Sequence, residues 1–206
     1  MIAAVMCGGK GSRMAQDLSV EKPMILLRGK PMVEYVLDAI VGSRKFSSIF
    51  AVVSYHTART TTYLQRHRYC QDGIVELINT SGIDYSTDLG QLIQLLRSSQ
   101  LFIVPSDIPL LRIGTVNEIV KRWNPSSNFS SVLLEKDFVT KLGLNPSIVI
   151  HFEGVEYCHS GISIIDTSQI FIGSDAIESY IIMNRKEIAF NINTKYDLEA
   201  LNFEIS

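Results

Sequence analysis

MIAAVMCGGKGSRMAQDLSVEKP, residues 1–23, sets the reading of the whole chain. IAAVM (2–6) is a short apolar run of the kind that forms a strand buried on both faces. It breaks into CGGKGSR, where glycines permit tight turns and let backbone N–H groups approach a ligand closely. Lys10, Arg13 and Lys22 add three cations within one loop. A triphosphate is the natural load for such a loop. The position directly after a strand is where α/β sheets bind their ligands.

Downstream the pattern alternates. PMVEYVLDAIVGS (31–43) has helical spacing with Pro31 in the first turn, SIFAVVS (48–54) is β-rich, and TARTTTYLQRHRYCQ (57–71) reads as one helix. IVELINT (74–80) is a strand, TDLGQLIQLLRS (87–98) a helix, LFIVPSD (101–107) a strand and VNEIVKRW (116–123) a helix. Such alternation predicts βαβ units around a parallel sheet covered on both faces. From about residue 128 the pattern changes. SSVLLEK, SIVIHFEG and GISIID are β-like with little helix between them, which predicts added or antiparallel strands. EIAFNINTKYDLEALNF (187–203) closes the chain as a strand, a turn and a helix. We expect one domain over 1–206, with a regular α/β half over 1–127 that carries the glycine loop and a less regular half over 128–206.

Composition removes several function classes. The chain has 206 residues, a net charge of -2 and 46% hydrophobic residues, enough for a substantial core. No basic stripe marks a nucleic-acid partner; Arg66, His67 and Arg68 read as a solvated helix face. Cys7, Cys70 and Cys158 are odd in number and scattered, so neither a disulfide framework nor a zinc site is indicated, and a reducing cytoplasm is expected. The first apolar run is too short for a signal peptide, and no window approaches the roughly 18 apolar residues of a membrane span.

Three phosphate-loop patterns bear on residues 8–14. A P-loop fails because Lys10 is followed by Gly11 rather than Ser or Thr. The dinucleotide fingerprint fits Gly9 and Gly11 but meets Met14 at the third glycine. GGxG[ST]RM followed by KP fits completely, with Gly8, Gly9, Gly11, Ser12, Arg13, Met14, Lys22 and Pro23. On these residues the chain resembles the nucleotidyltransferase superfamily. That resemblance implies a Rossmann-like three-layer α/β/α sandwich with a mostly parallel central sheet, followed here by an irregular β-rich C-terminal half.

Further stretches narrow the resemblance. INTSGIDYSTDL (78–89), NPSIVIHFEGVEYCHSGISIID (145–166) and FNINTKYDL (190–198) are similar, in the same order, to the archaeal GTP:adenosylcobinamide-phosphate guanylyltransferases. His159 and Ser160 depart from the small apolar pair expected before Gly161, and the gap from Met14 to Lys22 is long. The resemblance implies GTP and adenosylcobinamide phosphate as substrates and magnesium as cofactor. Asp107, in VPSDIPLL, would hold the metal, helped by Asn193; an amide oxygen is a neutral and weaker ligand than a carboxylate. Cys7, Gly8, Gly9, Lys10, Gly11, Ser12, Arg13 and Lys22 would bind the nucleotide. Thr80, Ser81 and Gly82 either read the base or simply turn the strand into a helix capped by Thr87. Gly161 and Asn191 would face the acceptor; Gly161 would otherwise mark a bulge or bend, and Asn191 and Asn193 would otherwise shape the turn.

The mechanism implied is direct transfer. A phosphate monoester is largely dianionic at neutral pH, with a second pKa near ~6, so attack on the α-phosphorus needs no general base. Lys10 and Arg13 would hold the leaving pyrophosphate, and Lys22 would sit near the α-phosphate. Lys22, Arg13 and Asp107 are therefore the expected catalytic residues. A molybdenum-cofactor guanylyltransferase or a sugar-phosphate nucleotidyltransferase would share the loop and differ in the acceptor. A non-catalytic nucleotide-binding module would not need both Lys22 and Asp107. An NAD-dependent oxidoreductase would want an acidic residue after the second strand, which ends Ser54-Tyr55-His56. A homodimer is compatible with the sequence but not fixed by it.

Overall fold

The structure is a computed structural model that describes residues 1–9, 20–97, 99–146, 148–168 and 178–205. Its first strand, β1 (Ile2–Met6), shows why the opening run folds as it does. Ala3, Ala4 and Val5 are all fully buried. Successive side chains point to opposite faces: Ala3 and Val5 join one apolar cluster, Ala4 the other. After two short antiparallel strands, β2 (Leu26–Leu27) and β3 (Lys30–Pro31), come α1 (Met32–Ser43) and β4 (Ser48–Ser54). Next are α2 (Ala58–Arg66), α3 (Arg68–Gln71), β5 (Glu76–Thr80), α4 (Tyr85–Leu95), β6 (Gln100–Pro105) and α5 (Ile113–Arg122).

The second half adds β7 (Phe129–Glu135), α6 (Lys136–Lys141), β8 (Val149–Phe152), β9 (Val155–Asp166), β10 (Glu178–Ile182), α7 (Lys186–Ala189) and α8 (Lys195–Ile205). The main sheet runs β10-β7-β9-β6-β1-β4-β5, with β8 paired to β9. β6, β1, β4 and β5 are parallel, as are β10 and β7, while β9 runs antiparallel to β6, β7 and β8. The mostly parallel sheet and the irregular second half are both as expected. Val36, Leu37 and Ile40 of α1, Leu64 of α2 and Val116 and Ile119 of α5 fill one face; Leu92 of α4 covers the other. That gives the three layers.

Several local expectations are corrected. The helix expected over 57–71 breaks at His67, whose backbone is extended and whose Nδ1 accepts from the Tyr69 N–H to start a new turn. Pro31 lies before α1, paired with Leu26, rather than inside its first turn. Asp84, not Thr87, caps α4, accepting from the Thr87 N–H at 2.8 Å. The segment 187–190 is helical at 187–189 rather than a strand, and β10 was not anticipated. Gly161 does not begin a strand. It lies inside β9 at φ +83°, where the register against β7 shifts. Ser160 staples this bulge: its hydroxyl donates to Val132 O at 2.8 Å and accepts from the Ile162 N–H at 3.2 Å.

Candidate active site

Because β1, β4, β5 and β6 are parallel, their carboxyl ends share one edge of the sheet, the edge where open α/β sheets bind ligands. There the ends of β1 and β6, Lys22 and Pro23, the start of α4 and Asn193 enclose a cavity of about 610 Å³. A larger open depression, about 780 Å³, lies on the outer side of α2 around Tyr63 and Arg66. The smaller one is the better candidate, because oppositely charged groups from distant parts of the chain converge in it. Of the basic cluster beside the larger one, Arg66 and Arg68 are exposed, whereas His67 turns inward to Glu34, its Nε2 lying 3.7 Å from Oε1.

Lys22 is the centre of that convergence. It sits in a single 3₁₀ turn, Lys22–Met24, with Pro23 buried. Its ammonium forms an ion pair with the Asp107 carboxylate and donates to Asn193 Oδ1 at 2.9 Å. Asp107 follows β6 by two residues, and its own carbonyl accepts the Ile192 N–H at 2.9 Å, which draws the 191–193 segment alongside. Asp197 secures that segment from below: its carboxylate takes the N–H groups of Asn193 and Thr194 at 2.9 and 2.8 Å. Asn193 Nδ2 in turn donates to Asn191 Oδ1 at 2.9 Å. Lys22, Asp107 and the Asn191–Asn193 pair, from three distant parts of the chain, thus form one connected group.

The second oxygen of Asp107, Oδ1, is buried and has no hydrogen-bond partner among the described residues. A buried carboxylate oxygen left unpaired is costly. It also suits a small hard cation, which takes oxygen ligands and often only one or two carboxylates from the protein. Asn193 Oδ1 is already engaged by Lys22, so Asp107 is the stronger of the two expected ligands.

Cys7, Gly8 and Gly9 line the same cavity, while Lys10, Gly11, Ser12 and Arg13 lie outside the described residues. Burial pushes the Cys7 thiol up to about 12; a hydrogen bond with Ser106 opposes the rise and the Asp107 charge adds to it. Gly8 is pinned by its carbonyl, which accepts from the Ser54 hydroxyl at 2.6 Å.

The 80–82 stretch divides. Gly82 lines the cavity at φ +67°, and a Cβ there would lie 2.7 Å from Ser54 Oγ, so the position tolerates only glycine. Thr80 and Ser81 are not in the lining. The Thr80 hydroxyl donates to Val53 O at 3.3 Å and the Ser81 hydroxyl to Asp88 Oδ1 at 3.1 Å. Asp88, almost fully buried, also accepts the Gly82 N–H at 2.8 Å and reaches the cavity wall. Sequence reasoning passed over Asp88 as a site residue, although its place six residues after Gly82, one turn into a capped helix, was visible. Gly161 comes to the same edge beside Pro105 and Asn191: a Cβ on it would stand 2.9 Å from Pro105 Cγ and 3.5 Å from Asn191 Nδ2.

Comparison with known proteins agrees with this geometry. Residues 3–138 match the family described as the MobA-like NTP transferase domain. A protein of Methanocaldococcus jannaschii named adenosylcobinamide-phosphate guanylyltransferase is 33% identical over 205 residues, covering 97% of this chain and 94% of the relative. A protein of Thermococcus gammatolerans named as a molybdenum cofactor guanylyltransferase is 28% identical over 64% of this chain and 61% of its own length. Among solved structures, a nucleotidyl transferase from Methanothermobacter superposes with a TM-score of 0.63 at 16% identity, over 99% of this chain and 97% of that one. A CMP:2-keto-3-deoxy-manno-octonic acid synthetase complexed with CTP superposes with a TM-score of 0.65 at 12% identity, over 99% and 96%. At these identities the two structures speak for the fold alone.

Proposed function

The chain belongs to the MobA-like NTP transferase domain family, and from that premise we propose that it transfers GMP from GTP to the phosphate of adenosylcobinamide phosphate, releasing pyrophosphate. The near full-length likeness to the Methanocaldococcus protein carries the choice of acceptor. The joining of Lys22, Asp107 and Asn193 at the sheet edge supports the chemistry.

In the proposed reaction an oxygen of the acceptor phosphate forms a bond to the α-phosphorus of GTP. The bond from that phosphorus to the bridging oxygen breaks, and the electron pair leaves with pyrophosphate. The nucleophile is already an anion, so no residue needs to take a proton. What the protein must do is bring two anions together and hold them in line, a task of positioning and charge neutralisation. Lys22, partly buried between Asp107 and Asn193, is assigned to the α-phosphate, where charge shifts in the transition state. The glycine backbone at residues 8 and 9 offers close approach to phosphate oxygens, with Lys10 and Arg13 assigned to the β- and γ-phosphates.

Magnesium fits the residues present, because Asp107 Oδ1 is a buried carboxylate oxygen with no hydrogen-bond partner among the described residues, on a residue that lines the cavity. When bound it would offset negative charge on the phosphate oxygens. Asp107 would hold it, and Lys22, already paired with the other carboxylate oxygen, would fix the orientation of that carboxylate.

The test is pyrophosphate release from GTP in the presence of magnesium, with and without adenosylcobinamide phosphate. Release that requires the corrinoid acceptor is the expected result. A GTP-dependent rise in melting temperature without release would keep the nucleotide site and reject this acceptor; molybdopterin and sugar phosphates would then take its place in the assay. NAD should leave the melting temperature unchanged.

A further inference from the structure

Lys22 sits in a 3₁₀ turn of only three residues, so where its ammonium lies depends on how that turn is held. Something must fix its backbone. The residue before it does so through an unusual set of contacts. Glu21 Oε1 accepts the Arg59 N–H at 2.8 Å. Its Oε2 accepts both the Thr60 N–H and the Thr60 hydroxyl at 2.7 Å. These N–H groups belong to the first turn of α2, whose N-cap residue, Thr57, supplies no side-chain hydrogen bond to the helix. Orphan N–H groups at a helix start need an acceptor and favour an anion. Here the acceptor arrives from 38 residues away in the chain.

Glu21 also uses its backbone. Its carbonyl accepts the Met24 N–H at 2.8 Å and closes the turn that carries Lys22. One residue therefore binds the turn internally and bolts it to the N-terminus of α2. Thr60, fully buried, gives the bolt a rigid seat.

We propose that Glu21 is a positioning residue for transfer, acting through Lys22 by anchoring its turn to the start of α2. The proposal rests on the reading of Lys22 given above. Catalysis by an oriented charge is sensitive to displacements near 1 Å, which commonly cost on the order of 10²-fold in rate. Losing the anchor should therefore slow turnover while leaving GTP affinity, carried mainly by the glycine loop, little changed.

The test is a double-mutant cycle on pyrophosphate release, joined to amide hydrogen exchange. Glu21→Ala should lower kcat by roughly ten- to a hundredfold with little change in KM for GTP. In a Lys22→Ala background the same substitution should cost nothing further, because its target is gone. Equal losses in both backgrounds, or an unchanged kcat, would overturn the proposal. Thr60→Val, which removes only the hydroxyl donor, should give a smaller loss of the same kind and serves if Glu21→Ala folds poorly. Independently of any acceptor, Glu21→Ala should raise exchange at the Arg59, Thr60 and Met24 amides, and unchanged protection there would also overturn it. Wild-type protein that releases no pyrophosphate with the corrinoid would reject the acceptor instead, while the exchange result would still stand or fall alone.

Discussion

The ammonium of Lys22 and the carboxylate of Asp107, 85 residues apart in the chain, form an ion pair inside the cavity at the sheet edge. Each is only 14% exposed. Neither charge is spare: removing one partner would strand the other in a poorly solvated place, at a cost larger than the loss of a surface pair.

Asp107→Asn should therefore damage activity twice, by taking away the anionic oxygen that suits magnesium and by releasing Lys22. We expect pyrophosphate release to fall by on the order of 10²–10³-fold. The magnesium concentration giving half-maximal rate should rise for whatever activity remains. A variant with an unaltered magnesium titration would remove Asp107 from the metal site.

Gly161→Ala tests the bulge. The residue sits at φ +83°, and an added Cβ would stand 2.9 Å from Pro105 Cγ. Backbone strain of this kind costs about 1–3 kcal/mol, or ~2–12 °C in melting temperature for a chain of this size. Gly143→Ala is the control: its φ is +75°, but nothing lies within 4 Å of the added atom. Both variants should melt lower, and Gly161→Ala should melt lowest. Gly161→Ala alone should slow turnover, because Pro105 is two residues from Asp107. Equal melting temperatures would mean that Pro105 yields without resistance.

Much of this architecture could be read from the chain because it is locally determined. IAAVM, SIFAVVS and LFIVP are short, largely apolar runs that each carry Ile and Val, and each forms a strand in the parallel part of the sheet. The Lys-Pro pair and Asp107 could be found because they follow motifs at fixed places. Residues whose role depends on distant partners were not legible. Nothing near Glu21 reveals that its carboxylate meets α2, nor does anything near Asp197 reveal which N–H groups it takes. EIAF (187–190) reads as a short apolar strand behind Glu187, yet Arg185 O accepts the N–H groups of Ile188 and Ala189, and Ile188, Ala189 and Phe190 are all buried. There packing outweighed the local pattern. The His67 break leaves no mark in the local pattern, because a side-chain nitrogen, not a glycine or proline, starts the new turn.

Cys7 offers a chemical check on the nucleotide loop. Only the thiolate is nucleophilic, and burial pushes this thiol up to about 12. Native protein treated with iodoacetamide near neutral pH should leave Cys7 unmodified, with labelling appearing once the chain is unfolded. Rapid native labelling of Cys7 would show that the cavity floor opens to solvent.

Acid stability should report on Asp38. Burial alone would raise its pKa. Hydrogen bonds from Lys30 and Tyr69, and the charges of Lys30 and Arg68, outweigh burial and hold it below the usual carboxylate range. The Tyr69 hydroxyl donates to Oδ1 at 2.7 Å, and the Lys30 ammonium pairs with Oδ2. A depressed carboxylate binds its proton more readily in the unfolded chain than in the folded one. Its stabilising effect is therefore complete above the unfolded pKa of about 4, and fades as pH falls through the lower folded value. Lys30 has the opposite sign: its pKa is raised, so its share persists through neutral pH and fades only at strongly alkaline pH. Because the site is partly open to solvent, the effect should be modest and should shrink with added salt. Melting temperatures of wild type and Asp38→Asn should differ near neutral pH and converge below about pH 4. A gap that stays constant with pH would assign the contribution of Asp38 to packing and neutral hydrogen bonding rather than to its charge.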